Sequence, residues 1–129
     1  MSEVLIKLLV IDDHPFYGMD LKYKLHPYGI EVTSVLDGET GMDQLLFISK
    51  PDIVFVDYMM PGMDGIETIK LIRKLRGFEN FPLILFTSES YPEVVREAVK
   101  AGATDVIAKT ASLEMIIQKI KQHNVLREK

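Results

Sequence analysis

Five residues that could do chemistry together stand directly after short apolar runs of the sequence. Asp12 and Asp13 follow Ile6–Ile11, Asp57 follows Ile53–Val56, Thr87 (with Ser88) follows Leu83–Phe86, and Lys109 follows Val106–Ala108. A run that is apolar on both faces reads as a central parallel strand covered from both sides. Each of these residues therefore falls at the C-terminal end of a strand, and in an open parallel sheet those ends share the edge where ligands bind. Carboxylates crowded there push one another toward the protonated form, and one lysine cannot neutralise three of them. A hard divalent cation with oxygen ligands resolves the repulsion, and Mg²⁺ suits it. Such a cation with an ammonium and a hydroxyl forms a cradle for a transferring phosphoryl group. Asp57 is then the nucleophile, forming an acyl phosphate. Any one of these acids alone could be a helix cap or a loop carboxylate. The agreement of four strand ends carries the reading.

The elements that must position these residues alternate along the chain. Glu31–Leu36 is a more mixed run and suits an edge strand. Helical spacing appears between the runs: Phe16, Met19 and Tyr23 align, with Pro27 ending the first helix, and Met42, Leu45, Leu46 and Ser49 suggest the second. Ile66, Ile69, Ile72 and Leu75 form a third stripe. Val94, Val95, Ala98 and Val99 form a fourth, opened by Ser90 and Glu93 at capping-box spacing and closed at Gly102. Leu113, Ile116, Ile117 and Ile120 form the fifth, with Ser112 as N-cap. Five β-α units with right-handed crossovers give an open twisted sheet with helices on both faces. No linker or internal repeat divides residues 1–129, so one domain is expected to fill the chain.

Composition narrows the partners. The apolar content, 47%, excludes a disordered chain. A formal net charge of −4 does not attract nucleic acid, so no direct DNA binding is expected. There is no cysteine, which excludes disulfides and thiol chemistry. The N-terminal stretch lacks the basic start and small-residue cleavage site of a signal peptide, and no run is long enough to span a membrane. A cytoplasmic location is expected.

The Asp12-Asp13 pair, the strand ending in Asp57, the YMMPGMDG stretch from Tyr58 to Gly65, the Thr87-Ser88 strand end and the AGATD segment with Lys109 resemble the receiver domain of two-component response regulators. The resemblance covers nearly the whole chain, and it implies a flavodoxin-like strand order 2-1-3-4-5. It implies that Asp57 is the phosphoacceptor, supplied by a phosphohistidine on a sensor histidine kinase or a histidine phosphotransfer protein. It also implies that Asp13, Asp57 and the Met59 backbone carbonyl ligate Mg²⁺ directly, with Asp12 acting through water. Thr87 and Lys109 would bind phosphoryl oxygens and draw in the loop after the fourth strand. A downstream partner would then read the face built from the fourth helix, fifth strand and fifth helix. The domain would catalyse only its own phosphotransfer and dephosphorylation.

Two positions depart from the family. Val106 stands where receivers usually carry a Tyr or Phe that swings inward, and valine cannot change exposure in that way. Lys109-Thr110 replaces a common Lys-Pro with a cis peptide. Without proline a cis bond costs ~2.5–4 kcal/mol, so the loop is either trans and reshaped or strained.

Other residues invite less. His14 reads as an exposed loop histidine, because Mg²⁺ prefers oxygen. His26 and His123 read as solvated, Met60 as loop packing, Tyr91 as a single exposed aromatic, and the basic tail KIKQHNVLREK as a solvated helix face. An aspartate-nucleophile phosphatase would need a second acid two residues after Asp57, where Met59 stands. A flavodoxin would need a phosphate loop where Asp12 and Asp13 would repel phosphate. A receiver-like module that only binds protein is kept open by Val106 alone. The chain stops after its fifth predicted helix, so no output domain is expected within it.

Overall fold

Strands β1 (Ile6–Ile11), β2 (Ile30–Val35), β3 (Ile53–Val56), β4 (Leu83–Thr87) and β5 (Asp105–Ala108) form one parallel sheet in the order β2-β1-β3-β4-β5. The computed structural model describes residues 6–128, with side chains through 124. Helices α1 (Pro15–Leu25), α2 (Gly38–Asp43), α3 (Gly65–Arg73), α4 (Pro92–Ala101) and α5 (Leu113–Glu128) alternate with the strands. This is the flavodoxin-like doubly wound α/β sheet expected above. Among the described residues no helix is long and apolar enough to cross a membrane.

The central strands are apolar on both faces because each face has its own core. Leu9, Ile11, Val54, Val56, Leu83 and Leu85 pack with Ile66, Ile69 and Ile72 of α3 and with Val94 and Ala98 of α4. Their neighbours Leu8, Val10, Ile53, Phe55, Ile84 and Phe86 pack with Leu21 and Leu25 of α1 and with Ile116 and Ile120 of α5. The two-residue period of a strand sends alternate side chains to opposite faces.

Several expectations need correction. Phe16, Met19 and Tyr23 do share a face of α1, but they are 65%, 67% and 84% exposed. The inner face carries Gly18, Leu21 and Leu25. Gly18 has no hydropathy signal, yet it lets α1 rest on β2, since a Cβ there would collide with Ser34 Oγ. Leu25, not Pro27, is the last residue of α1, and Pro27 lies in a following 3₁₀ turn, His26–Tyr28. The stripe proposed for the second helix also breaks. After Asp43 the backbone widens into a π-type turn, Gln44–Ile48, in which Ser49 N donates to Gln44 O at 3.0 Å. That turn keeps Leu45 inside and leaves Leu46, Phe47 and Ile48 exposed. The third helix ends at Arg73, so Leu75 packs from the connection beyond it. In the fourth stripe Val94 and Ala98 are buried and Val99 is exposed.

The Ser90–Glu93 capping box does not form. Tyr91 is the N-cap of α4, with φ −65° and ψ 153°, and no side chain caps it. Pro92 explains this: the residue before a proline is driven to extended backbone, and proline itself prefers the first helical position. The other two caps form as expected. Ser112 Oγ accepts from Met115 N at 3.1 Å, and Gly102 ends α4 at φ 112°. His123 is buried rather than solvated, because α5 continues past it and turns it toward Asp105. Asn124 in the same tail is also buried, and the side chains beyond it lie outside the described residues.

Candidate functional site

Backbone pairing places the site before any side chain contributes. The ladders run one step past the strand ends: Asp12 N donates to Val35 O (3.0 Å), Asp57 N to Ile11 O (2.8 Å) and Lys109 N to Thr87 O (2.9 Å). Three residues far apart in sequence are thereby fixed at the C-terminal edge of β1, β3 and β5. The MPGMDG stretch then braces the loop beyond Asp57. Asp64 caps α3 by accepting from Glu67 N at 2.9 Å, and Gly65 N donates to Tyr58 O at 3.0 Å. A Cβ at Gly65 would collide with the Asp57 carbonyl oxygen, so this close approach of α3 requires glycine.

The side chains converge on Lys109. Its Nζ lies 2.8 Å from Asp12 Oδ2 and 2.9 Å from Asp57 Oδ1, and all three groups are buried. Asp12 Oδ1 accepts from His14 N at 2.9 Å, whereas its buried Oδ2 has the Lys109 ammonium as its partner. Burial pushes the Asp57 carboxyl up to about 6, and the charges of Asp12 and Asp13 add to that against the opposing pull of Lys109. Burial alone would depress the Lys109 ammonium, but its close pairing with Asp12 and Asp57 outweighs burial and holds it above the usual lysine value. The site thus carries more negative charge than its lysine offsets.

The other expected residues line the same hollow. Asp13, Asp57, Met59, Thr87 and Lys109 surround a cavity of about 140 Å³. Ligand pockets begin near ~300 Å³, so this space suits a small charged group rather than a flavin or a nucleotide. Asp13 is partly exposed at its mouth, and Met59 is exposed. Thr87 is buried, and its Oγ1 accepts from Glu89 N at 3.0 Å, which leaves the hydroxyl proton free to donate elsewhere. Asp12, Asp13 and His14 offer ligand atoms that all lie within 4.8 Å of one another. His14 is nonetheless largely exposed, as expected for a loop histidine. The crowded carboxylates of Asp12, Asp13 and Asp57, with one lysine among them and Asp57 raised, fit a hard divalent cation such as Mg²⁺, which takes oxygen donors.

Both departures noted in the sequence appear in three dimensions. Val106 is partly buried against the α3–α4 core. Among the described residues no peptide bond is cis, so Lys109-Thr110 is trans. Two contacts were not foreseen. The Lys109 ammonium sits 3.9 Å from the centroid of the Tyr17 ring on α1. Tyr58, next to Asp57, donates its hydroxyl to Glu97 Oε1 on α4 at 3.0 Å, and that bond pushes the phenol up. The misassigned face of α1 hid the first; the adjacency of Tyr58 to Asp57 was the available signal for the second.

A family profile described as "Response regulator receiver domain" matches residues 8–121. The chain is 30% identical over 126 residues to the peroxide stress-activated histidine kinase mak3 of Schizosaccharomyces pombe, covering 92% of this chain and 5% of that protein. It is 28% identical over 118 residues to the phosphate regulon transcriptional regulatory protein PhoB of Rhizobium meliloti, covering 92% of this chain and 52% of that one. It thus spans about half of one curated relative and a small part of the other. Its structure is similar to that of the Francisella response regulator 1452 receiver domain, with a TM-score of 0.85 and 29% identity over 97% of this chain and 100% of that one.

Proposed function

The chain belongs to the response regulator receiver domain family of two-component signalling, and from that premise we propose that it is a phosphorylation switch whose acceptor is Asp57. The observation that carries the reading is a buried carboxylate at a strand end, 2.9 Å from a lysine and crowded by two further acids.

In this reading an Asp57 oxygen attacks the phosphorus of a phosphohistidine on a sensor histidine kinase or histidine phosphotransfer protein. The P–N bond breaks as the P–O bond forms, and the donor imidazole leaves with the bonding pair. Asp13, Asp57 and the Met59 carbonyl would hold Mg²⁺, with Asp12 reaching it through water. The bound cation supplies positive charge for the phosphoryl oxygens. Lys109 and the Thr87 hydroxyl bind those oxygens as well. Asp57 must be ionised to attack, and added positive charge favours that form of its raised carboxyl.

Movement of Thr87 would draw on the loop to α4, because Glu89 N is bonded to Thr87 Oγ1. With Val106 in place of a swinging ring, the response travels by this backbone and is read by a protein partner on the α4-β5-α5 face. We further propose that residues 1–129 form a single receiver domain, working in the cytoplasm and catalysing only its own phosphotransfer and dephosphorylation, without binding nucleic acid or membrane directly. Incubation with acetyl phosphate and Mg²⁺, read by intact mass, tests the acceptor. The parent should gain one phosphoryl group and Asp57→Asn none; an equal gain in the variant would sink the assignment.

A further inference from the structure

The Lys109 ammonium has rings as well as carboxylates around it, Tyr17 close by and Phe86 at 5.9 Å. Asp12 Oδ2 and Asp57 Oδ1 take it at 2.8 and 2.9 Å, and the Tyr17 ring stands 3.9 Å away. An ammonium has three N–H donors, so the ring covers what the carboxylates leave. Tyr17 is held in turn by aromatic neighbours: Phe86 meets it edge-on (6.4 Å, 87°), as does Phe16 (5.4 Å, 78°). With these contacts the Lys109 side chain is 7% exposed, although the strand it follows, β5, lies at the edge of the sheet. The ring also lines the cavity over Asp57.

We propose that Tyr17 is a positioning residue for phosphoryl transfer, its aromatic face holding Lys109 at Asp57 and keeping water from the ammonium. This role rests on the reading of Asp57 as phosphoacceptor. Lysine is a strongly hydrated charge on a flexible stem, and without a fixed wall it explores the mouth of the site and is screened by water. A ring face attracts the cation without competing for the phosphoryl oxygens, because it offers no strong hydrogen-bond donor to them. The role belongs to the ring and not to the hydroxyl.

Rates of phosphoryl gain from acetyl phosphate with Mg²⁺ test this in Tyr17→Phe and Tyr17→Leu, with Tyr17→Met in reserve should the leucine variant melt early. Tyr17→Phe should keep the parent rate, and Tyr17→Leu should be slowed about 3- to 30-fold. Placed on Lys109→Met, Tyr17→Leu should add no further loss, since the two act as one unit. A second readout needs no phosphodonor: the Lys109 ε-methylene protons should be shifted upfield by the ring in the parent and in Tyr17→Phe, and return downfield in Tyr17→Leu. A leucine variant at the parent rate, a phenylalanine variant as slow as leucine, or an unmoved ε-methylene resonance would overturn the role of Tyr17 alone. A parent that gains no phosphoryl group overturns the reading of Asp57 and this role with it.

Discussion

Asp57 and Asp105 lie at opposite ends of the same parallel sheet, and their surroundings displace them in opposite directions. At Asp57, burial and the neighbouring acids prevail, and the carboxyl rises to about 6. At Asp105, burial works in the same sense, but His123, Lys119 and Val106 N outweigh it and hold the carboxyl below its ordinary value. Lys119 Nζ and His123 Nε2 both lie 2.9 Å from its Oδ2, and Val106 N donates to its Oδ1 at 2.8 Å. Arg73 completes that basal end by donating to the carbonyls of Gly102 (2.8 Å), Phe78 (2.8 Å) and Phe81 (2.5 Å). A partly buried charge with a full set of partners reads as structure. One crowded by like charges reads as chemistry awaiting a ligand.

The comparison breaks first if the basal end is dispensable. Arg73→Met removes the guanidinium hydrogen bonds to three carbonyls, and a loss of about 2–4 kcal/mol in urea unfolding is expected, with no change in the position of phosphorylation. Stability near that of the parent would mean the cluster is ornamental.

At the other end, removing a charge should help. With a folded value of about 6 against 3.8 unfolded, folded Asp57 binds more protons between those values, so stability falls as pH rises through the window. In EDTA, the parent should lose about 2–3 kcal/mol relative to Asp57→Asn between about pH 4 and pH 7. Mg²⁺ should restore it, adding ~2.7 kcal/mol at one hundred times Kd, and much less in Asp13→Ala. Parallel pH curves for parent and Asp57→Asn in EDTA would remove the contrast.

The smallest effect is expected at Asp105. Its stabilisation is present above 3.8 and lost as pH falls through its lowered value, so the sign is the reverse of that at Asp57. Asp105→Asn should cost about 1–2 kcal/mol at neutral pH, read by thermal melting, and that difference should shrink in acid. A difference that grows in acid would show that the partners of Asp105 do not favour its charged form.

The strand-end acids were legible because each follows an apolar run, and strand order cannot move a C-terminal end to the other edge of a parallel sheet. The third helix was legible because Ile66, Ile69 and Ile72 form a stripe with no competing face. In α1 the signal misled: its inner stripe begins with Gly18, while bulky Phe16, Met19 and Tyr23 look outward. Tyr17, between those two stripes, was lost with them. Arg73 and His123 left no trace because their partners are set by tertiary contact: carbonyls in irregular backbone for one, and a strand-initial aspartate 18 positions away for the other. Pairings of that kind carry no period.

The alternation of side chains along β3 makes neighbouring residues strangers to each other. Val54 and Val56 touch the half containing α3 and α4, while Phe55 between them touches the half containing α1 and α5. The sheet is therefore a bulkhead between two compartments that share a backbone but no packing. Volume gained or lost in one must be made good within that compartment.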